Sequence, residues 1–330
     1  MKKSCLILLF SLFVSSVVLA SPLSYEAFVK KYKEASDFYS KHEYDHALQV
    51  LDTIVDDDFS QIYPSVFLSR SLTLFYLGRY EEAKIDIDKC ISLQPYALKP
   101  LLCRSMISTA MKDYDAALTD INYCLEKNSY WADAYHQKGL ICLNLTRYSD
   151  ALQNFNMAIS NANGVIKPEY YSDRGFAYYY LGDFENAKKE FIYSLKMIEN
   201  ENVYLCLIDL CYKLQQYDEG IKYADKLIKK GNLIEAAIIE RAYIYLAQGR
   251  YEEVCKDLKS LENSCTSLSS YHKVKGIYFI LTENKDMAKE EIEIAFSLNP
   301  KDKDILFLKN SLGTKDMDKQ KLLEEMKSNE

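Results

Sequence analysis

Residues 77–83 read Leu77-Gly78-Arg79-Tyr80-Glu81-Glu82-Ala83, and the chain repeats that phrase. It returns as Leu181-Gly182-Asp183-Phe184-Glu185-Asn186-Ala187, as Leu145-Thr146-Arg147-Tyr148-Ser149-Asp150-Ala151 and as Met111-Lys112-Asp113-Tyr114-Asp115-Ala116-Ala117. Weaker copies surround Tyr44, Tyr217, Tyr251 and Lys285. The last small residue of each copy serves as a marker: Ala47, Ala83, Ala117, Ala151, Ala187, Gly220, Val254 and Ala288. Successive markers lie 36, 34, 34, 36, 33, 34 and 34 residues apart. A fixed period of this length is the mark of a repeat architecture, in which each unit buries its apolar face only by stacking on the next.

The residue types around the marker read as two helices and a turn. Three residues before it stands an aromatic in seven copies, Tyr44, Tyr80, Tyr114, Tyr148, Phe184, Tyr217 and Tyr251; the eighth has Lys285. Four residues after it stands Leu51, Ile87, Ile121, Phe155, Phe191, Ala224, Leu258 or Ile292, one helical turn further along the same face. The pattern resembles the tetratricopeptide-repeat family over roughly residues 21–300. The resemblance implies an all-α fold, a right-handed superhelix of about eight helix-turn-helix repeats, with the marker early in the second helix (B) of each. A capping helix at Asp302–Leu312 and a charged tail at 316–328 would complete residues 301–330. No linker interrupts the repeats, so one elongated domain is expected.

Composition agrees with long helices. The 330 residues include only 10 Gly and 6 Pro, too few for the turns of an all-β fold or for glycine-rich phosphate loops. Net charge is −7 with acids and bases interspersed, and no basic block tracks a phosphate backbone, so nucleic acid is not expected as a partner. The N-terminus reads as an export signal: Lys2 and Lys3, an apolar run Cys5–Ala20, then small residues before a cleavage site after Ala20. An uncleaved anchor is the alternative, but the run is short for a spanning helix. No other segment approaches that length, so no stable membrane span is expected after cleavage, and the location is periplasmic or secreted.

Chemistry-bearing motifs are sparse. His42-Glu43-Tyr44-Asp45-His46 matches the zinc-protease signature H-E-x-x-H, which needs both histidines on one face of one helix. The repeat register places His42 in the turn between helices and His46 in helix B, so a metallopeptidase stands only as a remote alternative. Neither a nucleophile elbow nor a C-x-x-C pair is present, and no catalytic residue, metal or cofactor is expected. Asp56-Asp57-Asp58 is read as the end of helix B of repeat one. Eight cysteines follow the export signal; Cys90–Cys103 and Cys255–Cys265 are the pairs near enough in sequence to test as disulfides.

A charge pattern runs through the repeats. Thirteen residues before the marker the first helix (A) carries Arg70, Arg104, Lys138, Arg174, Arg241 and Lys275. Three after it helix B carries Asp86, Asp120, Asn154, Glu190, Asp257 and Glu291. Repeats one and six lack both members, which predicts an A-to-B ion pair within the others. A basic ladder for an anionic ligand is the alternative.

The family resemblance implies that helix A residues line an inner, partner-binding face. Carried over by offset, these are Tyr32 and Tyr39, then Phe75 and Tyr76, His136, then Phe176, Tyr179 and Tyr180, then Tyr212 and Lys213, and finally Tyr243 and Lys273. Such a face is apolar and rich in tyrosine, whose ring gives contact area and whose hydroxyl gives a polar handle. It suits an extended peptide or a helix of a protein ligand. The expected function is a non-catalytic interaction scaffold; a secreted effector that engages host proteins is the alternative.

Overall fold

The computed structural model describes residues 23–312; the expected signal peptide and charged tail lie outside the described residues. Eighteen α-helices and no strand occur among the described residues. The repeats comprise α1 (Tyr25–Ser40) with α2 (Tyr44–Asp52), α4 (Ser65–Tyr76) with α5 (Tyr80–Leu93), α6 (Leu98–Ala110) with α7 (Tyr114–Lys127), and α8 (Ala132–Asn144) with α9 (Tyr148–Ser160). They continue as α10 (Pro168–Tyr180) with α11 (Phe184–Met197), α12 (Glu201–Lys213) with α13 (Tyr217–Lys230), α14 (Ile234–Ala247) with α15 (Tyr251–Leu261), and α16 (Ser269–Leu281) with α17 (Lys285–Leu298). A short α3 (Asp58–Ile62) and a final α18 (Lys303–Ser311) complete the set.

One turn geometry joins A to B in all eight repeats. Two residues before the aromatic, His42, Gly78, Lys112, Thr146, Gly182, Gln215, Gly249 and Glu283 have φ between 57° and 79°. The next residue returns its N–H to a helix A carbonyl five residues back, as in Arg79 to Leu74 (2.9 Å) and Gln216 to Cys211 (2.7 Å). This is the left-handed helix stop for which glycine is the unstrained choice. Where that next residue is Asp113, Asp183 or Asn284, its side chain also caps helix B. The aromatic, or Lys285, is then the first residue of helix B in every repeat.

The eight markers are buried, as are Leu51, Ile87, Ile121, Phe155, Phe191, Ala224, Leu258 and Ile292 one turn later. Small size at the marker is a packing demand: a methyl group on Gly220 would lie 2.6 Å from Ile244 Cδ1. A second small position, twelve residues before the marker, escaped the sequence reading. It holds Ala35, Ser71, Ser105, Gly139, Gly175, Ala242 and Gly276. A methyl on Gly276 would meet Ile292 Cδ1 at 2.5 Å. Ser71 and Ser105 use the same closeness to donate to the marker carbonyls of Ala83 (2.7 Å) and Ala117 (2.9 Å). Repeat six inverts the sizes, with Ile208 at this position and glycine at the marker.

Two sequence expectations change. Asp56–Asp58 does not close α2, which ends at Asp52; Asp57 instead caps α3, accepting from the Phe59 N–H at 3.0 Å. The two additional residues in the first 36-residue interval are taken up there. The chain also divides into two compact units, up to Ile141 and from Cys142, with the division inside α8, where no linker announces it. No disulfide joins Cys90 to Cys103 or Cys255 to Cys265; all four are thiols, and burial pushes Cys103 up to about 12. The expected cap is α18. Asp302 accepts from the N–H groups of Asp304 and Ile305, and Ile305 and Leu308 are fully buried.

Candidate partner-binding surface

The charge pattern is architecture. Arg70 holds Asp86 through two N–H donors at 2.7 and 2.8 Å, and Arg104 holds Asp120 with both at 2.8 Å. Arg174 grips Glu190, Arg241 grips Asp257, and Lys275 lies 2.7 Å from Glu291. A further guanidinium N–H, not foreseen, reaches the preceding repeat: Arg70 to Asp52 (3.1 Å), Arg104 to Asp88 (2.9 Å), Arg174 to Asn156 (2.9 Å), and Arg241 to Asp225. Each of these arginines therefore ties two successive B helices to one A helix. The signal was present as acid or amide five residues after the marker. Repeat four departs from the expected pairing, because Asn154 has no charge to offer and donates its amide to the Asp150 carbonyl at 2.7 Å. Burial raises the Asp257 carboxyl above its ordinary value although Arg241 pulls it down, so desolvation outweighs pairing there. With their bases committed to carboxylates, these repeats present no basic ladder for an anion.

In the first unit the expected aromatics gather around one turn. Tyr44 and Tyr76 stack at 4.9 Å with planes 6° apart, and Tyr39 packs edge-on to both. Burial, then Tyr76, pushes the Tyr39 hydroxyl well above its ordinary value. Tyr32 and Ser69 share a hydrogen bond of 2.9 Å, and Tyr32 and Tyr39 line a small cavity of about 60 Å³. Phe75 is half-buried between Tyr76 and Tyr80, and His136 is half-buried on α8. Tyr76 is half exposed.

The second unit carries the larger opening. A cleft of about 290 Å³ runs between the A helices of repeats five, six and seven. Phe176, Tyr179 and Tyr180 come from α10, Leu205, Cys206 and Asp209 from α12, and Glu240 from α14. Tyr180 is 53% exposed and stacks on Tyr148 at 4.9 Å. Tyr179 donates its hydroxyl to Asp209 at 2.8 Å. The Lys213 side chain, only 4% exposed, places its ammonium 4.0 Å from Asp209 and over the rings of Tyr179 and Phe184. Burial raises the Asp209 carboxyl, against the pull of Lys213 and the Tyr179 hydrogen bond.

The remaining expected residues lie deeper. Tyr212 is buried, and Lys273 is buried between Asp304 (3.1 Å) and Asp302 (3.4 Å) under the edge of α18, with the half-buried Tyr243 ring 5.9 Å away. These three brace the face more than they open it. Leu205, Cys206 and Glu240 were missed. Cys206 and Glu240 stand one turn before Asp209 and Tyr243 on the same helix face, and that spacing is the signal that could have found them.

The zinc-protease reading fails on backbone geometry. His42 has φ 61° and lies outside α2, which begins at Tyr44. His42 Nδ1 pairs with the Tyr44 hydroxyl (2.7 Å) and His46 Nδ1 with Glu43 (3.3 Å), so the two imidazoles share no helix face. Among the described residues no three metal-ligating side chains converge, and no helix is long and apolar enough to cross a membrane.

Comparison with known proteins agrees with this architecture. A family model of the tetratricopeptide repeat matches residues 64–96, which is repeat two. A tetratricopeptide-repeat protein of Methanocaldococcus jannaschii is 29% identical over 206 residues, covering 58% of this chain and 35% of the relative. The Hsp70-Hsp90 organizing protein of Triticum aestivum is 24% identical over 278 residues, covering 84% of this chain and 42% of the relative. The chain thus spans well under half the length of these curated relatives. Among solved structures, PilF of Pseudomonas aeruginosa superposes with a TM-score of 0.55 at 17% identity, over 64% of this chain and 95% of that one. A chain of the APC/C Cut9–Hcn1 hetero-tetramer gives 0.63 at 12% identity, over 88% and 56%. At such identities the likeness speaks for the fold alone. Eight helix pairs on one period, one shared turn and the match at repeat two agree: the chain is a tetratricopeptide-repeat protein.

Proposed function

We propose that this protein is a non-catalytic platform that holds an extended segment of another protein against the helix A face of repeats five to seven. The observation that carries the reading is the cleft walled by Phe176, Tyr179 and Tyr180, with the Tyr180 ring 53% exposed at its mouth. A volume of about 290 Å³ is at the small end of what encloses a drug-sized molecule, and suits one or two side chains of a peptide. Aromatic rings on rigid helices are the usual anchors of such contacts. The Hsp70-Hsp90 organizing protein, by its name, brings other proteins together, which is in keeping with this use of the fold. The positive, then apolar N-terminal sequence supports action outside the cytoplasm, in the periplasm or extracellular space.

The test uses heptapeptides selected by display on the full chain. Their binding to Tyr180→Ala and Phe176→Ala is expected to weaken about tenfold, as for loss of an aromatic anchor. Tyr180→Ala should leave the melting temperature within a degree or two of the parent, since its ring is half in solvent. Selected peptides indifferent to both changes would remove the reading.

A further inference from the structure

Every residue that lines the cleft lies within α10, α12 or α14, where backbone N–H and C=O groups are spent on the helix itself. The walls therefore offer a ligand no ladder of backbone partners of the kind a sheet edge gives. The carboxylates are engaged too. Asp209 accepts from the Tyr179 hydroxyl at 2.8 Å and faces Lys213 at 4.0 Å, and Glu240 interacts within the protein. What stays open is ring surface and one hydroxyl. Tyr148 backs the Tyr180 ring at 4.9 Å with planes 15° apart, and the Tyr179 ring meets it at 88°, so two ring planes at right angles frame a corner. The Tyr180 hydroxyl bonds to no protein group among the described residues, and with its side chain 53% exposed it stands at the mouth as a donor.

These conditions select a ligand by its backbone. A segment lying here takes its own N–H groups out of water, and an N–H left without an acceptor is costly. A helix satisfies them internally, but it needs a groove long enough for side chains three, four and seven residues apart, whereas this opening of about 290 Å³ takes one or two. Proline removes the N–H altogether. It also holds the chain in the extended polyproline conformation, so little ordering entropy is lost on binding. Resting on the peptide-binding reading above, we infer that the cleft takes an extended, proline-containing segment that is uncharged at the seated residues. The pyrrolidine ring packs in the corner against Phe176 and Tyr180, and a carbonyl of the segment accepts the Tyr180 hydroxyl. A charged side chain in the same place would lose hydration and meet only groups already engaged, so the cleft prefers a neutral occupant.

The experiment titrates the full chain with fluorescein-labelled Gly-Ser-(Xaa)4-Ser-Gly-amide peptides in which Xaa is proline, sarcosine, alanine or leucine. Sarcosine lacks the N–H as proline does but has no ring; leucine keeps apolar bulk and restores the N–H. The proline peptide is expected to bind about tenfold tighter than the alanine and leucine peptides, with sarcosine between them. Tyr180→Phe, which keeps the ring and loses the hydroxyl, should weaken the proline peptide by about threefold to tenfold while the melting temperature holds. Raising salt should leave the proline peptide unchanged, since no charge is read. Leucine binding as tightly as proline, with both lost in Tyr180→Ala, would overturn the proline inference and leave the groove standing. So would a proline peptide that fails to bind where display-selected peptides bind and depend on Tyr180. Failure of all four peptides, with display-selected peptides indifferent to Tyr180→Ala, would overturn both.

Discussion

Repeats three and six have the same turn and solve the problem of holding A to B in opposite ways. In repeat three, Arg104 ties Asp120 of its own B helix and Asp88 of the one before, through three hydrogen bonds of 2.8–2.9 Å. In repeat six the same positions hold Leu207, fully buried, and Tyr223, whose hydroxyl bonds back along its own helix to Glu219. There Ile208, Leu210 and Cys211 are buried to the last atom beside Leu207. A charged clamp fixes register but loses desolvation energy; an apolar core is stronger per side chain and specifies less. The apolar repeat is also the middle one of the cleft, where Asp209 lines the opening and Lys213 packs beside it.

The largest expected effect lies on the apolar side. Leu207→Ala should cost about 3–4 kcal/mol, a transfer loss plus a cavity that packed neighbours cannot fill. Urea melts followed by helical circular dichroism would show it; a loss under about 1 kcal/mol would mean that repeat six is loosely packed. Arg104→Ala should cost about 2 kcal/mol, the figure for a broken buried pair reduced because Arg104 remains 30% exposed. Replacing both members, Arg104→Met with Asp120→Leu, should recover most of that loss, because no stranded charge remains. If the double variant is no better than the single one, the clamp acts by attraction and not by satisfying its own desolvation.

The turn sharpens the contrast because it is common to both repeats. Lys112 in repeat three and Gln215 in repeat six occupy the left-handed position at φ 63° and 58°. Lys112→Gly and Gln215→Gly should each stabilise by about 0.5–1 kcal/mol, whichever way the repeat is held. Gly78→Ala should destabilise by about 1 kcal/mol through backbone strain alone, since a methyl there meets nothing within 4 Å. Unequal gains at 112 and 215 would show that the turn is coupled to what packs beneath it.

The smallest effect is one of pH. Glu199, between repeats five and six, is held down to about 2 by hydrogen bonds from Lys230 and then Lys226. A depressed carboxyl stabilises the fold above its unfolded value of about 4.3, and the contribution fades as pH falls toward 2. Wild type should therefore melt slightly above Glu199→Gln at pH 7 and coincide with it near pH 2. A difference independent of pH would assign the effect to packing.

Much of this was legible in residue order because it is short-range. The marker, the aromatic three before it and the core residue four after it act within one helical turn. The pairing of Arg70, Arg104, Arg174 and Arg241 with their acids followed from the repeat register alone. The turn's position was legible from the register, but its left-handed backbone only where glycine occurs, at Gly78, Gly182 and Gly249; His42, Lys112, Thr146, Gln215 and Glu283 adopt the same conformation because the packed helices on either side impose it. The histidine motif has helical spacing, but the repeat register already placed His42 in the turn, and its φ of 61° agrees.

By itself, residue order determined the helix pairs, their period and the residues that stand at each level, since all of these depend on neighbours within one or two turns. Tertiary structure alone decided which helix A side chains open a cleft and which are buried as braces. That outcome depends on how successive A helices pack across 30 or so residues of chain, where a difference of one position relative to the marker makes Glu240 a cleft wall and Lys273 a buried partner of Asp304.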